Sequence, residues 1–372
     1  TDELEDNLNE FMASLQKENK HLVAIFWKYM ILGTRRLPKF KKIIFCSREE
    51  AYASDPMTFF LLQNIRDNPT CYYYGMIHDT YTAFCSYPKE HDCEKFKSEL
   101  GCYNCERVIE HNVSKPIGER ISPYYSKMKF DQMKQIFSLY GEQIHYVGAS
   151  DFSLRQAKSS YLLRNIKQSK CLLQMENSST ISFENLEKEN LRYRQGALRT
   201  LGQQFNVTFS ENTFIFCWSA MDFSEKRKGF QKFADSVWKF YHKLMQQDKI
   251  KIEDVVFFLV GGYEEFATIL PVLPGDIRTF ILGKRSPAHA ISVVGTSDVY
   301  CCTTSEDAGP RTVSESLGMG TPVISFDDCI APDLIDEKSG WIIKSGDAEG
   351  YVDAMMKAVK LKHNTPEKLK EM

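Results

Sequence analysis

The sequence predicts an α/β protein made of two Rossmann-like parallel-sheet domains facing a cleft. Three observations carry that expectation. Short apolar runs alternate along the chain with segments of helical period. The runs are continuously apolar, as in IIFC at 43–46, TFIFCW at 213–218 and DVVFFLVG at 254–261, instead of alternating with polar residues. Strands of that kind belong to parallel sheets covered on both faces. A length of 372 residues exceeds one ordinary core and suits two.

The N-terminal half reads as follows. Residues 1–42 mix Glu, Leu, Asn and Lys with apolar spacing near three and four, which predicts helix. They end in Arg35, Arg36, Lys39, Lys41 and Lys42 interleaved with Leu37 and Phe40, either a solvated helix end or a membrane-surface patch. A strand is expected at 41–46, a helix at 56–67, and a strand at 70–77 running into His78-Asp79. Residues 80–120 read as cysteine-rich and irregular. A helix at 124–140, a strand at 144–147, a helix opening at Ser150-Asp151 and a short strand at 170–175 follow. The polar stretch 177–180 reads as a linker. The expected domains are therefore 1–176 and 177–372.

In the second half, helices are expected at 191–204, 229–246, 287–295, 311–318 and 348–360. Strands are expected at 213–218, 254–261, 276–282, 298–302, 322–325 and 341–343. In open parallel sheets ligands sit beyond the carboxyl ends of the strands, so the cleft between the domains is the natural site.

A formal net charge of −2 removes a global positive field and argues against nucleic acid as a partner. Cys46, Cys217, Cys301 and Cys302 each lie in apolar runs and read as buried free thiols. They imply a reducing compartment: the cytoplasm, or its face of a membrane. The longest apolar stretch, near 22–32, contains Lys28 and is too short to span a bilayer. The sequons at Asn112, Asn177 and Asn206 are triplets too short to weigh. The chain begins at Thr1, which leads to the expectation of a segment upstream.

The chemistry concentrates in residues 303–323, TTSEDAGPRTVSESLGMGTPV. A strand ends, a loop carries Glu306, Asp307, Gly309 and Pro310, and a helix starts near Arg311 and Thr312. Such a junction aims backbone N–H groups and a positive dipole end at one point, which suits a diphosphate. Asp307 and Glu315 are eight positions apart, about two helical turns, and so lie along one line. One carboxylate can meet a sugar while the other accepts from the diol of a ribose. A second element, Glu225-Lys226-Arg227-Lys228-Gly229, follows strand 213–218 and opens a helix. Its cations could neutralise a diphosphate and stabilise charge on a leaving nucleotide.

These residues resemble the donor-site signature of the family-4 retaining glycosyltransferases of the GT-B fold. That signature is an acid, seven residues, Glu, and then G-T-P-V, here Asp307, Glu315 and Gly320-Thr321-Pro322-Val323. The first acid is Asp where Glu is commoner, and Glu306 stands beside it. The family's Lys-Gly pair is matched by Lys228-Gly229, while its earlier Arg has no counterpart in 219–223, which leaves Arg227 in that role. Strand 254–262, Gly340-Trp341-Ile342-Ile343 with Gly346-Asp347, and Met175-Glu176-Asn177-Ser178 also keep register, so the likeness covers about 170–360. Residues 75–81 with Cys85, Cys93, Cys102 and Cys105 resemble the His-Asp, cysteine-insertion subset known from exopolysaccharide and capsule assembly.

The resemblance implies transfer of a sugar from a nucleotide diphosphate sugar, UDP or GDP before ADP, to a glycan or lipid-linked hydroxyl, with retention. Lys228, Arg227 and the Gly309–Pro310–Arg311–Thr312 backbone would hold the diphosphate, Glu315 the ribose and Asp307 the sugar. His78 would face the reacting centre. No catalytic cofactor is expected, and peripheral membrane contact is an expectation of the lipid-linked acceptor. The four cysteines, with His91 as an alternative, read either as a structural zinc site or as buried thiols and disulfides. Residues 1–42 lack the family's opening strand and Gly-rich loop, so the N-terminal domain is expected to be incomplete or divergent. A nucleotide-sugar epimerase, a sugar phosphorylase and a non-catalytic binding subunit are the alternatives.

Overall fold

A computed structural model describes residues 43–46, 71–75, 93–113, 116–117, 120, 122, 124–148, 150–170, 186–247, 250–262, 272–307, 310–365 and 369. The basic stretch at 35–42, the helix expected at 56–67, the residues His78, Cys85, His91 and Gly309, and the linker at 177–180 lie outside them. Contacts divide the chain into two units, each with its own parallel sheet.

The first unit carries four strands, β1 (Ile43–Cys46), β2 (Cys71–Gly75), β3 (Ile144–Gly148) and β4 (Lys167–Lys170), paired in parallel in that spatial order. Its helices are α1 (Glu106–Val113), α2 (Tyr125–Tyr140) and α3 (Asp151–Ser159). Phe96, Phe130, Ile136, Ile144, Tyr146 and Leu163 form its core. Two expectations are corrected. The region 80–120 is not wholly irregular, because α1 lies within it. The strand expected at 170–175 is described at Lys167–Lys170, so it starts three residues earlier than expected, and 171–175 lie outside the described residues. That strand reads KQSK and is half-exposed, so it offers no apolar run to recognise.

The second unit is a six-stranded parallel sheet in the order β10-β9-β8-β5-β6-β7. Its strands are β5 (Phe214–Ala220), β6 (Val255–Gly261), β7 (Arg278–Gly283), β8 (Val299–Cys302), β9 (Val323–Phe326) and β10 (Gly340–Ile343). The helices between and around them are α4 (Leu186–Phe205), α5 (Phe230–Leu244), α6 (Pro287–Thr296), α7 (Arg311–Gly318), α8 (Ala331–Leu334) and α9 (Ala348–Asn364). Successive residues of β5 serve opposite faces. Phe214, Phe216 and Trp218 join Phe233, Phe240, Tyr351 and Met355 of α5 and α9 in one cluster. Ile215 and Cys217 join Leu201, Val294 and Val313 of α4, α6 and α7 in another. Both faces are apolar because both are covered, which is why the strands read as unbroken hydrophobic runs.

Helix α5 buries Phe233, Ala234, Val237, Phe240 and Leu244, the stripe that a period of 3.6 places on one side. Cys217, Cys301 and Cys302 are buried free thiols, and burial pushes Cys217 up to about 12. Asp298, just ahead of β8, is a buried carboxylate that is fully engaged. It accepts from the Ile215 N–H at 2.8 Å and pairs with Lys362 at 2.7 Å and with Arg194. Among the described residues no helix is long and apolar enough to cross a membrane.

Candidate functional site

Strands β5 and β8 are neighbours in the sheet, with Phe216 opposite Val299 and Cys217 opposite Tyr300. Their carboxyl ends therefore bring together two segments far apart in sequence: the turn at 225–229 and the loop at 303–307.

The turn is a single 3₁₀ turn, Lys226–Lys228, that ends on Gly229 in the left-handed conformation at φ 72° before α5 begins. Its backbone is stitched to the β8 loop. The Ser305 N–H donates to Arg227 O at 2.9 Å. The Thr303 hydroxyl donates toward Lys228 O at 3.1 Å and Gly229 O at 3.0 Å, and accepts from Trp218 Nε1 at 2.9 Å. A Cβ at Gly229 would lie 2.3 Å from Thr303 O. Glycine is thus required twice, by the backbone angle and by this close approach. Gly229→Ala is expected to destabilise this unit by at least about 1–2 kcal/mol from the left-handed backbone alone, with the clash in addition. Urea unfolding measures it, and a midpoint like that of the wild type would show that the turn relaxes.

With the turn so fixed, two cations meet one carboxylate. Lys228 Nζ lies 2.9 Å and Arg227 Nη1 3.1 Å from Asp307 Oδ2. Arg227 also pairs with Glu225 at 2.9 Å. All three of the converging side chains are largely buried, so solvent screens them little. Two positive charges thus meet two carboxylates, Asp307 and Glu225, and the cluster is charge-balanced.

Helix α7 opens beside this cluster. Its N-cap is Pro310, whose side chain cannot cap, and the Val313 N–H donates to Pro310 O at 3.0 Å. Arg311 and Thr312 occupy its first turn. Glu315 stands one turn further on and is half-buried. Burial raises its pKa above the ordinary value, and the Arg311 charge opposes that. Together these groups make an anion-favouring corner with a carboxylate set behind it.

Of the residues singled out by sequence, Arg227, Lys228 and Asp307 are brought into contact here, while Pro310, Arg311, Thr312 and Glu315 belong to the helix that opens three residues after Asp307. Gly309 and His78 lie outside the described residues. Of the cysteine set, Cys102 is buried in the core of the first unit and Cys93 and Cys105 are half-buried. No group of three potential metal ligands occurs among the described residues, and Cys85 and His91 are not among these. Sequence reasoning passed over Thr303, Ser305 and Trp218, which hold the turn in place. Their only signal is adjacency of β5 to β8, and two other strands separate those in sequence.

Residues 225–372 match the family Glycosyl transferases group 1. The chain is similar to Anabaena HepE, solved in complex with UDP-glucose, with 12% identity and a TM-score of 0.51 over 94% of this chain and 74% of that one. It is similar to S. aureus TarM, with 11% identity and a TM-score of 0.51 over 94% of this chain and 53% of that one. No curated protein matches the chain. The fold is GT-B, and the C-terminal unit carries a glycosyltransferase domain.

Proposed function

We propose that this glycosyltransferase moves a sugar from a nucleoside diphosphate sugar to a hydroxyl of a glycan or lipid-linked acceptor, with retention at the anomeric carbon. The observation that carries the reading is the meeting of Lys228 and Arg227 on Asp307, three residues before Pro310 opens α7. The diphosphate would lie against Lys228, Arg227 and the first N–H groups of α7. There Lys228 would stabilise the charge that grows on the leaving nucleotide, as preorganised dipoles and cations do elsewhere. Glu315 would accept from the ribose diol, and Asp307 from sugar hydroxyls while it holds the two cations. The donor's own phosphate would serve as the base, so no protein nucleophile is needed. UDP is the first nucleotide to try, since the similar HepE structure contains UDP-glucose, with GDP next.

A thermal-shift panel of UDP-, GDP- and ADP-sugars tests the reading. One cognate donor is expected to raise the melting temperature, and Glu315→Ala to abolish that shift. A full shift in the variant would remove the ribose assignment. Absence of any shift across the panel would remove the donor site. The anomeric configuration of the product, read by NMR, decides retention.

The raised pKa of Glu315 gives a pH signature. A buried carboxyl with a raised pKa favours its protonated form, so ionised Glu315 costs stability as pH rises through that pKa. A bound diol hydrogen-bonds the ionised form and draws the pKa down. Nucleotide affinity is therefore expected to rise with pH through the titration of Glu315, with a proton released on binding. Calorimetry in buffers of different ionisation enthalpy measures the release, and Glu315→Gln should abolish it. Equal proton release in the variant would assign the titration to another group.

A further inference from the structure

The backbone that carries Lys228 is bonded on every side. The Lys228 N–H donates to Glu225 O at 2.9 Å and the Gly229 N–H to Lys226 O at 3.0 Å. On the carbonyl side, Arg227 O accepts from the Ser305 N–H at 2.9 Å. Lys228 O and Gly229 O accept from the Thr303 hydroxyl at 3.1 and 3.0 Å. Gly229 O also accepts from the Phe233 N–H at 3.0 Å as α5 begins. Both peptide units that flank the Lys228 Cα are therefore held at their N–H and at their carbonyl.

Thr303 is fully buried, and its partners settle the direction of its bonds. An indole N–H can only donate and a carbonyl can only accept. The hydroxyl thus accepts from Trp218 Nε1 at 2.9 Å and gives its single proton to the Lys228 and Gly229 carbonyls. The indole is fixed in turn. It stacks on Phe233 at 5.6 Å and meets Phe223 and Phe230 edge-on at 4.9 and 5.2 Å. Phe223 and Phe230 flank the turn in sequence and stack on each other at 5.3 Å. This aromatic base holds the indole, the indole orients the hydroxyl, and the hydroxyl holds the backbone of Lys228. A valine at position 303 would fill the same space but supply neither the proton nor the lone pair.

On the donor-site reading above, we infer that Thr303 is a positioning residue for the reaction. Its hydroxyl, oriented by Trp218, holds Lys228 where the ammonium meets the charge that develops on the leaving diphosphate. A charge held in place beforehand costs no reorganisation at the moment of reaction, and a misplacement of about 1 Å can lower a rate about a hundredfold.

Turnover by the full chain tests this, with the donor selected from the UDP-, GDP- and ADP-sugar panel, water as acceptor and release of the nucleoside diphosphate as the readout. Thr303→Val is expected to lower kcat by about ten- to a hundredfold and to change the donor KM only a few-fold. Thr303→Ser restores the hydroxyl and should turn over within a few-fold of wild type. In a Lys228→Ala background Thr303→Val should cause no further loss, because the group it acts through is already gone. Lys362→Met, which weakens the fold away from the site, should leave kcat unchanged. Urea unfolding checks that each variant is folded. If Thr303→Val is not, Trp218→Phe takes its place: it removes the donor that orients the hydroxyl, and should lower kcat only where Lys228 is present. A folded variant with the kcat of wild type, a serine variant as slow as the valine one, a loss matched by Lys362→Met, or losses that multiply with that of Lys228→Ala would overturn the inference and leave Lys228 in its role. Lys228→Ala turning over like wild type, or a wild-type chain that releases nucleotide from no donor, would overturn both.

Discussion

Lys228→Ala is expected to lower turnover of the cognate donor by about 10²- to 10³-fold, the usual effect of removing one preorganised group that meets transition-state charge. Stability should change little. Asp307 would keep Arg227 at 3.1 Å, so the variant leaves no unpaired buried carboxylate. The comparison that gives this result meaning is Lys226→Ala. Lys226 stands two residues away in the same turn but is exposed, and its loss should be nearly silent. If charge in the turn acted only through a diffuse field, the two variants would behave alike and would respond alike to salt. A specific role for Lys228 requires them to differ by at least about tenfold at moderate ionic strength. Steady-state kinetics with the donor identified by thermal shift decides it.

The second large effect lies at the other end of β8. Asp298→Ala is expected to destabilise the C-terminal unit by about 3–5 kcal/mol, because two cations and a backbone N–H lose their common buried acceptor. For a unit of this size that lowers the melting temperature by about 6–20 °C. The effect should be on folding alone. Asp298 precedes β8, whereas the site follows it, so the folded fraction should bind nucleotide normally. Lys362→Met should cost less than Asp298→Ala, since the carboxylate would retain Arg194 and the Ile215 N–H. Scanning calorimetry of the two variants checks the order. A Lys362 variant as unstable as the Asp298 variant would mean that burial of the carboxylate depends on both cations at once.

The sheet of the C-terminal unit was legible because each strand is an apolar run bounded by turn residues, and β5 supplies both faces of the core from alternate positions. The start of α7 was legible because Gly309-Pro310 marks the break and the apolar period resumes at Val313. The pairing of Arg227 with Lys228 was only half legible: the charges are visible in EKRKG, but their common partner lies 79 and 80 residues away. That distance collapses only through the order β8-β5-β6, in which two strands are inserted between sequence neighbours. For the same reason Thr303 reads in the sequence as an ordinary residue at a strand end. Strand β4 escaped notice because KQSK has no apolar pattern, and α1 because its cysteine-rich surroundings suggested a loop.

A structure of the chain with UDP or GDP bound, whichever gives the larger thermal shift, tests the central claim most directly. The account predicts a diphosphate oxygen within about 4 Å of Lys228 Nζ, others on the N–H groups opening α7, and the ribose hydroxyls on Glu315. Nucleotide bound elsewhere, with Lys228 and Arg227 still directed only at Asp307 and Glu315 apart from the ribose, would contradict it.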